Sequence, residues 1–159
     1  MRINRIAIFT TVALFAALVL YVAAAAGDQL SGTWKMNATK SKYSPGPAPQ
    51  NLTVTIESDE NSYKVNAEGT DGNGKAMHVE YSAKFDGKDY PISGVPNADM
   101  VSVKRIDANT VESTQKKGGL VTMTVTTKVS KDGKSRTSTF KGKDADGHDV
   151  NNVVVFDRQ

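Results

Sequence analysis

Two histidines, His78 and His148, and the absence of any cysteine bound the covalent chemistry open to this chain. A nucleophile needs a base held against it, and no serine here sits in a nucleophile-elbow context. No catalytic residue is assigned, and the chain reads as a non-enzyme. Without cysteine there are no disulfides and no thiolate metal sites. The run Asp144-Ala-Asp-Gly-His-Asp149 gathers carboxylates, but it lacks the ligand spacing and terminal bidentate Glu of a calcium loop. It reads as an acidic hairpin turn, and neither metal nor cofactor is expected. The arginines say more. If Val101 and Val103 point inward, period-two alternation carries Arg105 inward with them. Val111, Ser113 and Gln115 behave likewise on the next run, Tyr81 belongs to an apolar face, and Arg136 shares a face with Phe140. An inward charge in an apolar space must find a partner, and a ligand carboxylate bound bidentately is one. Arg105, Gln115, Arg136, Tyr81 and Phe140 are therefore the candidate ligand-binding residues. The competing reading lets the arginines snorkel outward at the strand ends.

The elements that would position these residues are all extended. Short Val- and Thr-rich runs alternate with Gly, Asp and Asn turns, at 31–37, 51–57, 62–69, 76–85, 100–106, 110–117, 120–129, 134–141 and 149–157. Asp86-Gly87, Asp132-Gly133 and Asp146-Gly147 between them favour tight hairpins, because glycine accepts positive φ. Met77, Val79, Tyr81, Ala83 and Phe85 share one face; Val121, Met123, Val125 and Val129 share another. Each strand thus has one buried and one wet face. About nine such strands leave exposed edges unless the sheet closes, so the predicted fold is all-β, a small antiparallel up-and-down β-barrel. Two connections are long: 38–50, with Pro45, Pro47 and Pro49, predicted to be extended, and 90–99, with Pro91, Gly94 and Pro96.

Ahead of this domain lies Met1-Arg-Ile-Asn-Arg5, then an uncharged, apolar run from Ile6 to Ala26 that ends in four alanines, Ala23 to Ala26. Basic start, apolar core and small residues in that order read as a secretory signal helix, with cleavage before Gly27. Uncleaved, residues 6–26 are long enough to anchor the chain in the inner membrane, and the basic start keeps that end cytoplasmic. Both readings export the domain 27–159, to the periplasm or the medium. Removing Arg2 and Arg5 takes the net charge from +3 to +1. The remaining charges alternate in sign along the chain, so no one-signed patch for nucleic acid is expected, and membrane contact is expected only through residues 1–26.

The opening run Gly32-Thr33-Trp34 on the first strand of a meander resembles the lipocalin and fatty-acid-binding-protein (calycin) superfamily. That resemblance implies that Trp34 plugs the closed end of the barrel with Arg158 packed over its indole, both as structural residues. A longer set of motifs is similar to a group of small exported bacterial proteins without an assigned activity: Gly-Thr-Trp-Lys (32–35), Lys40-Ser-Lys-Tyr43, Pro45-Gly-x-x-Pro49, Asp86-Gly-Lys-x-Tyr-Pro91, Lys104-Arg-Ile-Asp107 and Val-Asn-Asn-Val (150–153). The chain departs from the calycins in having no room for a helical lid in 38–50 and no helix after the last strand. The function expected is binding of a small apolar or amphipathic molecule, one bearing a carboxylate near Arg105. The alternative is a solid barrel acting as an envelope structural or interaction domain, with Tyr43 and Tyr90 on its contact loops.

Overall fold

The computed structural model describes residues 28–159; the segment 1–26, read above as a signal or anchor, lies outside the described residues. Ten antiparallel strands follow one another round a closed barrel. They are β1 (Gly32–Met36), β2 (Asn51–Ser58), β3 (Ser62–Thr70), β4 (Ala76–Lys84) and β5 (Tyr90–Ser93). The second half comprises β6 (Met100–Asp107), β7 (Thr110–Lys117), β8 (Leu120–Val129), β9 (Ser135–Lys143) and β10 (Asp149–Arg158). Each strand pairs with its sequence neighbours, and β1 closes the ring on β10 through Trp34–Arg158, Lys35–Asp157 and Met36–Phe156. Hairpin connections alone build this topology, because antiparallel neighbours need no crossover.

Three details differ from the sequence reading. The tenth strand, β5, lies inside the connection 90–99; its four residues are too few to show alternation, and Pro91 obscures them. It pairs at only two positions with β4 and two with β6. Segment 38–50 is not simply extended, since a 3₁₀ turn, Ala38–Lys40, opens it under an Asn37 cap. Lys42 then bridges to Val153. Finally, Val121 faces solvent. A bulge at Thr122 sets Lys116 opposite Val121 but Gln115 opposite Met123, which shifts the alternation by one residue. Val121 is 61 % exposed.

The core is the barrel's interior. Inward positions include Val54 and Ile56 of β2, Val65 of β3, Val101 and Val103 of β6, Val111 of β7 and Val154 of β10, all buried. One end is closed by the segment 28–31 and by Trp34. Leu30 and Trp34 are fully buried, and the Arg158 guanidinium lies 4.1 Å above the indole, a cation–π contact. Arg158 also donates to the backbone oxygens of Gln29, Ser31 and Gly133 at 2.8, 2.7 and 2.6 Å. Gly32 makes room for this. Its φ is +133°, and a Cβ there would collide with Arg158 Nη1. Gly32→Ala should therefore destabilise the barrel by about 1–3 kcal/mol, the cost of a strained backbone. The urea unfolding midpoint measures it; an unchanged midpoint would show that Arg158 yields freely.

Candidate functional site

Period-two alternation on β6 to β9 brings a set of polar side chains to the inner wall. Ser113 of β7, Thr127 of β8 and Arg136 and Ser138 of β9 are buried among the valines. Thr127 and Ser138 are cross-strand partners, with their hydroxyls 2.9 Å apart. Across the barrel, the Tyr81 hydroxyl of β4 meets Ser113 Oγ at 3.5 Å. Tyr63, Tyr81 and Phe85 form a tilted aromatic group, with centroids 5.7 and 6.3 Å from Tyr63.

The two interior arginines have opposite surroundings. Arg105 turns inward at the closed end, where its guanidinium lies 4.5 Å from the Phe85 ring and its Nη2 pairs with the Asp28 carboxylate. The same nitrogen donates to Ser58 Oγ and to the Asp59 carbonyl oxygen, each at 3.0 Å. Its charge is therefore answered within the chain, while its Nε is buried without a hydrogen-bond partner. Burial pushes the Asp28 pKa up, but hydrogen bonds from Arg105, Ser58 and the Leu30 amide outweigh it and hold the carboxyl below its ordinary value.

Arg136 has no such partner. It is 6 % exposed, and its guanidinium lies 4.7 Å from the Phe156 ring. Its hydrogen bonds are long ones to Ser138 Oγ, at 3.4 Å from Nε and 3.3 Å from Nη2. Nη1 is buried with no hydrogen-bond partner. Burial pulls the Arg136 pKa below the ordinary guanidinium value. Burial also pushes the nearby Tyr63 and Tyr81 phenols up, so they stay neutral and supply no counter-charge. No carboxylate lies within ion-pairing distance of Arg136 among the described residues.

The other candidates are dispersed. Phe140 and Gln115 are half-buried inward residues farther toward the opposite end, where Gln115 lines a depression of about 340 Å³ with Val95, Pro96 and Met123. Tyr43 folds over that end, packed on the core, its hydroxyl 3.1 Å from the Met36 sulfur. Burial pushes its phenol up to about 12. Tyr90 opens β5 and donates to Asp86.

The histidines stand outside the barrel. His78 lies between Glu68 and Glu80, at 3.5 and 3.4 Å. Asp144, Asp146 and His148 bring possible ligand atoms within 4.8 Å of one another. Asp144, however, already accepts the backbone amides of Asp146 and His148 at 2.9 Å, as an Asx turn does.

Sequence reasoning missed Asp28, Thr127 and Ser138. Alternation from Val125 and Phe140 points to the last two; nothing in the sequence links Asp28 to Arg105. Comparison with protein-family models and with curated proteins finds no match for this chain.

The Asp28–Arg105 contact sets a pH dependence. A carboxyl held below its unfolded pKa stabilises the fold above that unfolded value, and the contribution disappears as pH falls through the folded value. Asp28→Asn should lose about 1–3 kcal/mol at pH 7, with the deficit vanishing once the wild-type carboxyl is protonated. Urea midpoints of both proteins, measured from pH 7 down to the acid limit of folding, check this, and a deficit that does not shrink with falling pH would contradict it.

Proposed function

We propose that this chain is an exported, lipocalin-like binding barrel whose interior takes a small amphipathic ligand by its anionic group, with Arg136 as the anchoring residue. The observation that carries the reading is the Arg136 guanidinium, buried, its Nη1 without an acceptor and its charge without a counter-ion. An unpaired buried charge costs several kcal/mol, and a fold that needed only packing there would use an apolar side chain. A ligand carboxylate would supply both the missing acceptor and the missing charge. Phe156 and the Tyr63–Tyr81 group lie beside it in the core. Arg105 serves a different role in this reading. Paired with Asp28, it ties the segment after the export signal into the closed end.

A second reading has its own observation. Val101 and Val103 are wholly buried, which suits a solid barrel that serves as an envelope structural domain. Arg136→Met separates the two. For a binding site, removing the unpaired charge should stabilise the ligand-free protein by about 1–3 kcal/mol while abolishing ligand capture. For a structural arginine, the substitution should destabilise it.

Native mass spectrometry of the full chain, expressed in a bacterium and recovered from envelope and medium, provides the companion test. The polypeptide mass should lack residues 1–26, and a bound mass lost on denaturation should accompany wild type and not Arg136→Met. An intact mass found only in the membrane would favour the anchor. A bare polypeptide together with a destabilised Arg136→Met would turn the reading to the solid barrel.

A further inference from the structure

The end of the barrel opposite Trp34 carries an apolar knob and an apolar hollow side by side. The knob is the β7–β8 hairpin. Lys117 and Leu120 are cross-strand partners there, joined by Gly118 and Gly119, whose φ values are +56° and +82°. Two positive φ values make a tight turn whose twist matches that of its strands. Neither glycine has a neighbour that a Cβ would meet. The tip is therefore compact and bare, with Leu120 75 % exposed. Val121 stands exposed beside it because the bulge at Thr122 shifts the alternation. The hollow is the depression lined by Val95, Pro96, Met123 and Ala145. Hydrogen bonds hold its walls together. Thr122 Oγ1 donates to the Asn97 carbonyl at 2.8 Å, and Asn97 Nδ2 donates to the carbonyls of Lys143 and Asp144 at 2.8 and 3.0 Å. The Gly118 amide donates to the Asp99 carboxylate at 3.0 Å, which ties the knob to the same loop.

Neither feature is completed within the chain. Leu120 does not line the hollow. Lys117 on the knob and Asp146 on the rim of the hollow have no ion-pair partner among the described residues. We propose that two copies of this chain complete each other across a two-fold axis, each inserting its Leu120 into the other's hollow. An isologous contact requires one patch to hold both complementary halves, and this end of the barrel does. The hollow, of about 340 Å³, has room for a leucine side chain, and Lys117 of each copy then faces Asp146 of the other. The same aspartates, Asp144 and Asp146, favour a second copy over an anionic lipid surface, which would repel them. Two leucines and two ion pairs make a small interface, so the dimer is weak, with a dissociation constant on the order of 100 µM. This pairing is independent of the ligand reading and sets the two open ends against each other.

The test is sedimentation velocity of the full chain, as a bacterial host processes it, over a concentration range of about 5 to 500 µM that brackets the expected constant. Wild type should move from monomer toward dimer across that range. Leu120→Asp should keep the urea midpoint, since the side chain is exposed, and should weaken association about tenfold or more. Lys117→Asp and Asp146→Lys each set like charges against one another at both contacts, and each alone should weaken association about tenfold. An equimolar mixture of those two variants restores opposite charges at both contacts and should associate as wild type does. A monomer at every concentration, association that survives Leu120→Asp, or a mixture no better than its components overturns the proposal. Flotation of wild type, but not of Leu120→Asp, with vesicles of anionic phospholipid and without self-association would assign the knob to a membrane surface and overturn it as well.

Discussion

Closure of β1 on β10 is the constraint from which the rest of the barrel follows. Only three residue pairs make that seam as a strand pair: Trp34–Arg158, Lys35–Asp157 and Met36–Phe156. Beyond Met36 the edge of β10 is completed by irregular chain. The Asn37 amide donates to Val155, Lys42 exchanges hydrogen bonds with Val153, and the Asn151 amide donates to Ser44. Backbone groups left open there would form a sheet edge, the feature that invites association with another chain. The proline-rich segment therefore has a structural task at its start. Arg158 reinforces the seam at the closed end by tying β10 to residues on either side of it.

A single closed sheet has no second layer, so its inner face must supply the core. The two walls divide the work. Strands β2 and β3 present Val54, Ile56, Val65 and Ala67 inward, whereas β7 to β9 present Ser113, Thr127, Ser138 and Arg136. Two arginines enter this space with different outcomes. At the closed end the chain returns a carboxylate, Asp28, to Arg105. Deeper on the polar wall, Arg136 finds only a serine hydroxyl and an aromatic face. The contrast lies in the counter-ion, which Arg105 has and Arg136 lacks; each keeps one buried nitrogen without a hydrogen-bond partner.

The strands were legible because their signal is local. Alternation over Ala76–Lys84, and glycine-containing turns such as Asp132-Gly133, specify strand and hairpin without reference to the remainder of the chain. The strand β5 escaped because four residues containing a proline carry almost no period. Val121 was placed on the wrong face because a bulge is a fault in the very alternation used to read it. Alternation likewise carries Arg105 inward from Val103, yet its partner Asp28 stands 77 residues away, and no local rule joins them. Satisfaction of a buried charge is a property of the assembled interior. That is why sequence treats Arg105 and Arg136 alike and the structure separates them.

The seam also imposes an order of events on the growing chain. Arg158 reaches back to Ser31, 127 residues earlier, so the ring cannot shut until nearly the whole domain is available. Contacts of such sequence separation form late, after the entropy of a long loop has been surrendered. Before that moment the early hairpins can form, but Trp34 has no roof and the polar wall of β7 to β9 has not been laid against it. A chain with this connectivity remains threadable for most of its synthesis. Late closure is thus written into the pairing of the first strand with the last.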